Sequence, residues 1–348
     1  MKYTSIGGQA VMEGVMMRSQ NSMAMSVRRS DGSIVTEKTH LNRKPWRKTV
    51  AKIPLVRGVV AFVESLIQGM RITTRSAEMY GEDALKDEEP TKFEKWLSEK
   101  FNIKVETVAM VFGVILGLAL SFFLFIFLPS LASRAFWAVL QGRGITPENA
   151  SLSTKIILDL IEGVIKIGIF IAYIASVSLM KDIKRIFMYH GAEHKVISCY
   201  EHGLELTPEN AQKFSTSHPR CGTSFLFIIM VISILLTALA DDLFGLSTAT
   251  AGAMAVRFLV KIALLPFVAG VSYEILKLLA LSDNIVFRIL RAPGMALQKL
   301  TTRRPDESML EVSIKSFKTV LYMDGLSSEN PDAMYEFAEE HTEISDEH

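Results

Sequence analysis

The chain has 348 residues, 49% of them hydrophobic, with a mean hydropathy of +0.27 and a net charge of +1 from 38 basic and 37 acidic side chains. The length allows one large domain or two small ones, and the balanced charge excludes a general nucleic-acid binder, so no nucleic acid is expected as a partner. Two cysteines cannot make a disulfide framework, which points to thiol or metal chemistry in a reducing compartment, and the first residues, Met1 to Gly8, have no apolar core after their charge and so do not read as a signal peptide.

Residues 1–50 read as a small β-rich cap. Met23–Val27 and Ser33–Thr36 flank Asp31-Gly32, the signal of a type I′ hairpin. Gly7, Gly8 and Gly14 before it suggest close backbone approach or positive φ. Residues 51–106 hold a helix and a charged connector. Leu55, Val59, Phe62, Val63, Leu66, Ile67 and Met70 recur at helical spacing with Arg57, Glu64 and Arg71 between them, which makes an interfacial or core helix and a poor membrane span.

Residues 107–284 carry four apolar spans, at 107–132, 157–180, 224–240 and 256–281, the last kinked at Pro266. Lys and Arg gather on the N-terminal flank, in the loop 181–222 and on the C-terminal flank. The connection after the third span has Asp241 and Asp242 and neither Lys nor Arg. Basic loops mark the cytoplasmic side. The expected topology is therefore multi-pass in the cytoplasmic membrane, with both termini and the loop 181–222 cytoplasmic. The lipid bilayer is the partner this implies, and a homo-oligomer stays open. Residues 285–323 read as a soluble segment of two helices separated by Pro293-Gly294 and by Thr301 to Asp306. Residues 324–348 hold nine acidic side chains and no Lys or Arg, as a solvated disordered tail does.

Four of the seven histidines and both cysteines lie between His190 and Cys221. His190 and His194 are one helical turn apart, which suits two imidazoles on one ion. With Glu193 they form His-x-x-Glu-His, the arrangement in which two histidines hold zinc and the glutamate is general base toward a bound water. An acidic ligand completes that motif in proteases; Glu201, Glu205 and Glu209 are all available. His218 and Cys221, three apart, offer a second chelating pair, so His190, His194, His218 and Cys221 are the candidate metal ligands and Glu193 the candidate catalytic residue. Four protein ligands would close the ion into a structural site; three would leave a position for water. The ordinary alternative is a set of solvated or capping histidines and a buried free thiol. Cys199 fits better as a small apolar core residue and His202 as a helix cap. Within the spans, Glu162 and Lys166 can pair at i,i+4, and Glu274 is the charge hardest to place in hydrocarbon.

The segments Gly8-Gln9-Ala10-Val11-Met12-Glu13-Gly14-Val15-Met16-Met17-Arg18, His190-Gly191-Ala192-Glu193-His194-Lys195, Leu204 to Ala211, His218-Pro219-Arg220-Cys221-Gly222-Thr223-Ser224 and Thr301-Thr302-Arg303-Arg304-Pro305-Asp306 with Leu310-Glu311-Val312 carry a resemblance. Together they resemble the bacterial YqhQ family, a domain of unknown function often labelled a predicted metal-dependent enzyme. The resemblance runs from residue 5 to about 322 and leaves out the acidic tail. It implies a multi-span bacterial membrane protein, and it adds Glu13 and Arg18 to the candidate site residues. The expectation is a mainly α-helical integral membrane protein with a small N-terminal β-rich cap. Its expected function is metal-dependent, of hydrolytic type, with zinc or a similar divalent ion. A membrane scaffold or assembly factor with a structural metal is the alternative. A small transporter or channel is another, and would need Glu274 or Glu162 to face a cavity.

Overall fold

A computed structural model describes residues 4–41, 47, 50–81, 105–146, 150–245, 251–280 and 284–331. The charged connector and most of the acidic tail lie outside the described residues. The chain divides into two compact units, one of residues 1–84, 174–229 and 266–348, the other of residues 85–173 and 230–265.

The first unit is built on an antiparallel meander, β1 (Gly7–Val11), β2 (Gly14–Arg18), β3 (Ser22–Arg28) and β4 (Ile34–His40), in the order β1-β2-β3-β4. Alternate side chains of a strand point to opposite faces, and here both faces are covered. Val15, Met17 and Ala24 join a core with Tyr189, Val196, Leu310 and Phe317, whereas Met16, Met25 and Val27 meet Ile72 and Met79 of helix α1 (Val56–Tyr80). Double-sided burial explains why β2 and the middle of β3 are apolar on both faces and do not alternate. The first core is closed by α5 (Lys181–Glu201) and α10 (Glu307–Met323). The C-terminal helix expected in a separate soluble segment is thus packed in one core with the N-terminal sheet.

The Asp31-Gly32 hairpin forms, but not with a type I′ turn. Gly32 takes φ 87, while Glu13 and Leu55 are the only non-glycine residues at positive φ among those described. Gly32 N donates to Arg29 O (3.0 Å) and Arg29 N to Ser33 O (2.9 Å), which makes a three-residue loop with one left-handed position. The cause is local: the Asp31 carboxylate accepts from Ser33 N (2.8 Å) and Ser33 Oγ (2.6 Å), and this fixes Asp31 in the turn.

Four helices are long and apolar enough to cross a membrane: Phe112–Gln141, Ile156–Val177, Gly222–Asp241 and Phe258–Leu279. The first is α2 (Val105–Phe122), a π-helical turn at Phe123–Phe127 and α3 (Leu128–Gln141) in continuous succession, so the apolar helix runs nine residues past the expected end at 132 and includes Arg134. The others are α4 (Leu152–Val177), α7 (Gly222–Leu243) and α8 (Ala251–Ala280), which contains Pro266. Within the second unit, Phe122 meets Phe258 edge-on at 5.8 Å, Phe125 meets Tyr173 at 5.9 Å, and Glu162 pairs with Lys166 at 2.7 Å.

The segment 181–222, expected as a loop, is mostly helical: α5, then the short α6 (Pro208–Gln212), whose Thr207 side chain caps Asn210 N. Pro293 does not end its helix. It sits inside α9 (Ile285–Thr301), capped by Asn284.

Candidate metal centre

Helix α5 positions His190 and His194 on one face, with ring centroids 4.4 Å apart. The segment after α9 passes directly over that face. A Cβ on Gly191 would lie 2.0 Å from Arg303 O, so only glycine admits this approach. Arg303 N donates to Phe187 O (2.8 Å) and ties the segment down. Thr301, two residues earlier, then presents a carbonyl to His190.

Both imidazoles are oriented through backbone. His190 Nδ1 donates to Thr301 O (2.8 Å) and His194 Nδ1 to Thr216 O (2.6 Å). A carbonyl only accepts, so Nδ1 carries the hydrogen in each ring and Nε2 keeps the lone pair. That is the ligating form of histidine with its outer partner in place. His190 Nε2 lies 3.2 Å from Cys221 Sγ. His194 Nε2 is buried with no hydrogen-bond partner among the described residues. An orphaned buried acceptor costs about 1–3 kcal/mol. One ligand atom from each of His190, His194 and Cys221 falls within 4.8 Å of the others.

Cys221 stands just before the first residue of α7, where Thr223 N donates to its sulfur (3.4 Å). A helix start favours a thiolate, but without an ion burial dominates and pushes the Cys221 thiol up to about 11. Burial also lowers His190 and brings His194 down to about 3, and it raises the Glu193 carboxyl to about 8. Desolvation thus keeps each of these groups neutral. A divalent cation would reverse that balance at the thiol, because a coordinating thiol is deprotonated outright.

A pocket of about 270 Å³ opens beside these groups, lined by Glu193, His194, His218 and Cys221 on one side and by Ser5 to Gly8 on the other. The Gly8 N–H donates toward the Glu193 carboxylate. A Cβ on Gly8 would sit 2.9 Å from Glu193 Cδ, so the edge strand β1 needs glycine to cross there.

The structure gathers His190, His194 and Cys221 and holds His218 beside them. The His218 ring is 5.7 Å from that of His194, and its Nε2 lies 3.4 Å from Glu201 Oε2. Glu201 also accepts from Thr4 N (3.1 Å) and from the Arg220 guanidinium. Of the acidic residues after the motif, Glu201 therefore reaches the site through His218, whereas Glu205 and Glu209 are exposed. Cys199 is buried in the core and His202 caps α5 against Ser198 O (2.7 Å).

Glu13 and Arg18 stand apart from the histidines. Glu13 (φ 49) occupies the β1–β2 turn, paired with Arg185 through both carboxylate oxygens and accepting from Tyr189 Oη (3.3 Å). It clamps the hairpin to α5. Arg18 reaches Gln68 on α1. Glu274 is held by Arg57, whose Nε donates at 2.7 Å, and by Leu55 N at 3.3 Å. It fastens the start of α1 to α8, where the backbones pass so closely that a Cβ on Gly58 would meet Gly270 Cα at 2.9 Å.

Residues with no mark in the sequence complete the centre. Gln298 is fully buried; its Oε1 accepts from His218 N (2.9 Å) and its Nε2 donates to His218 O (2.9 Å). It pins the backbone that carries both His218 and Cys221. Thr216 and Thr301 contribute carbonyls, which any residue type could supply, so no side-chain pattern announces them.

A family model described as a protein of unknown function, DUF1385, matches residues 53–323. The chain is similar to the uncharacterized protein YqhQ of Bacillus subtilis (strain 168), 35% identical over 327 residues that cover 93% of this chain and 94% of that protein. No solved structure matches the chain.

Proposed function

The chain belongs to the DUF1385 family of proteins of unknown function, and within it we propose that this protein is an integral membrane enzyme of hydrolytic type that uses zinc or a similar divalent ion. One observation carries the reading: His190, His194 and Cys221 offer three ligand atoms within 4.8 Å, and both imidazoles are turned to ligate by backbone carbonyls. Two nitrogens and a sulfur suit zinc and other borderline ions. Such an ion would acidify a bound water and polarise a scissile bond. His190, His194 and Cys221 would hold it. Glu193, buried in the pocket wall and held protonated there by burial, is the group that would accept the proton once a cation beside it favours the carboxylate, a form the Gly8 N–H also steadies. Because Glu201 holds His218 aside, three protein ligands remain, and three leave a position open for water.

The membrane arrangement follows from the same reading. The sheet, α5 and α10 share one core, which supports a reading in which the segments before the first span, between the second and third, and after the fourth lie on one side. Two crossings separate each consecutive pair, which supports four spans. The excess of Lys and Arg on these segments supports the cytoplasmic side of the cytoplasmic membrane.

Cobalt substitution tests the catalytic part without a known substrate. A Co(II) protein with three protein ligands and a water is expected to show a visible spectrum that changes with pH as the water ionises, with a midpoint displaced in Glu193→Gln. A pH-independent spectrum that changes in His218→Ala would contradict it and favour the closed, structural site of a scaffold.

A further inference from the structure

A second pocket, of about 290 Å³, adjoins the metal centre and shares Arg220, Cys221 and Gly222 with it. Its walls are the first turns of α7, the last turns of α8 and the middle of α9. The third apolar helix starts at Gly222 and the fourth ends at Leu279, so the pocket lies at the ends of two spans, where hydrocarbon gives way to water. Phe227, Ile228, Leu276 and Leu290 make its lining mostly apolar, and Lys277 and Arg291 add two cations.

Helix α9 supports the same depth. Ile285, Val286, Ile289 and Leu290 are exposed, with Arg288 and Arg291 interleaved. An apolar face with basic residues alongside it is the signature of a helix lying in the headgroup region. Lys277 is also exposed and makes no ion pair among the described residues, while the carboxylate three residues before it, Glu274, is taken by Arg57. A lysine at the end of a span beside an arginine is a phosphate-binding pair of the kind that recognises lipid headgroups.

We propose that this pocket binds an anionic phospholipid, with acyl chain against Phe227 and Leu276 and phosphate on Lys277 and Arg291. This names the substrate class of the metal centre and so rests on the hydrolytic reading above. The shared wall at Cys221 puts the headgroup beside the candidate ligands. Hydrolysis there would break one ester bond of the lipid, C(acyl)–O or P–O, with the hydroxyl of water going to the acyl carbon or phosphorus and its proton to the departing oxygen.

Binding of dioctanoyl phosphatidate to the full-length protein in detergent, measured by calorimetry beside metal content, tests this. Inorganic phosphate and dioctanoylglycerol serve as the two halves of the probe. Phosphatidate is expected to bind about tenfold or more tightly than either half. The double substitution Lys277→Gln, Arg291→Gln is expected to weaken it about tenfold with metal content unchanged. Leu290→Trp, at an exposed position, is expected to weaken it by crowding the pocket. Equal binding of dioctanoylglycerol would show a hydrophobic cleft, equal binding of phosphate a site for a soluble anion, and undiminished binding in the double variant a site elsewhere; each overturns the proposal. Metal present without phosphatidate binding would sink the pocket and leave the metal reading standing. Phosphatidate bound as expected to a protein without metal would do the reverse.

Discussion

At the scale of single residues, the centre is a pair of histidines aimed by carbonyls and one cysteine aimed by a helix start. Two substitutions away from the ligand atoms test how that aim is set. Gly191→Ala places a methyl 2.0 Å from Arg303 O, so the segment carrying Arg303, just after Thr301 at the end of α9, must lift. Overpacking of a buried contact costs about 1–3 kcal/mol, occasionally more, and a lower unfolding temperature together with weaker metal binding is expected. Gln298→Ala frees the backbone of His218 and with it Cys221. Loss of such an outer support typically costs about 10–100-fold in metal affinity, which a competitive chelator titration measures; unchanged affinity would show that the loop holds itself. His190, His194, Glu193 and Cys221 were legible in the sequence because imidazole, carboxylate and thiol at chelating spacing are uncommon together. Gln298, Thr216 and Thr301 were not, because they act through a buried amide and two carbonyls brought in from distant turns.

At the scale of elements, glycine and burial decide where helices and strands meet. Helix α1 docks on α8 through Gly58 and Gly270 and through the Arg57–Glu274 pair. Gly270→Val is expected to push Leu55 away and lower the unfolding temperature, and Glu274→Gln to do so less. Neither should alter metal content, since neither touches the centre. A loss of metal in Glu274→Gln would contradict this separation. The apolar helices and the β-rich cap were plain from periodicity and run length. Helix α5 was hidden because its buried face is made of Tyr189, Glu193, His194 and Lys195 as much as of Val196 and Ile197, so no apolar stripe advertises it. Asp31-Gly32 marked a hairpin correctly, but the Asp31 side chain chose a different turn by bonding Ser33. Pro293 looked like a break and is accommodated inside α9.

At the scale of the whole molecule, three stretches far apart in sequence, residues 7–40, 181–201 and 307–323, make one core. Charge placement argues for one side of the membrane for all three, but their packing together depends on long-range contacts that local patterns do not encode. Thiol labelling of intact cells checks the arrangement. Gly32→Cys and Leu204→Cys are expected to be protected from an impermeant reagent until lysis, and Phe244→Cys, after the third apolar helix, to react at once. Labelling of Leu204→Cys in intact cells would reverse the orientation, and opposite behaviour of Gly32→Cys and Leu204→Cys would break the shared core. The central claim is that His190, His194 and Cys221 hold one divalent ion, and its most direct test is the metal content of the purified full-length protein and its single variants by mass spectrometry. The account expects about one zinc-type ion per chain in the wild type, lost in His190→Ala, His194→Ala and Cys221→Ala and kept in Glu193→Gln; a wild-type protein without stoichiometric metal, or ligand variants that retain it, would contradict the account.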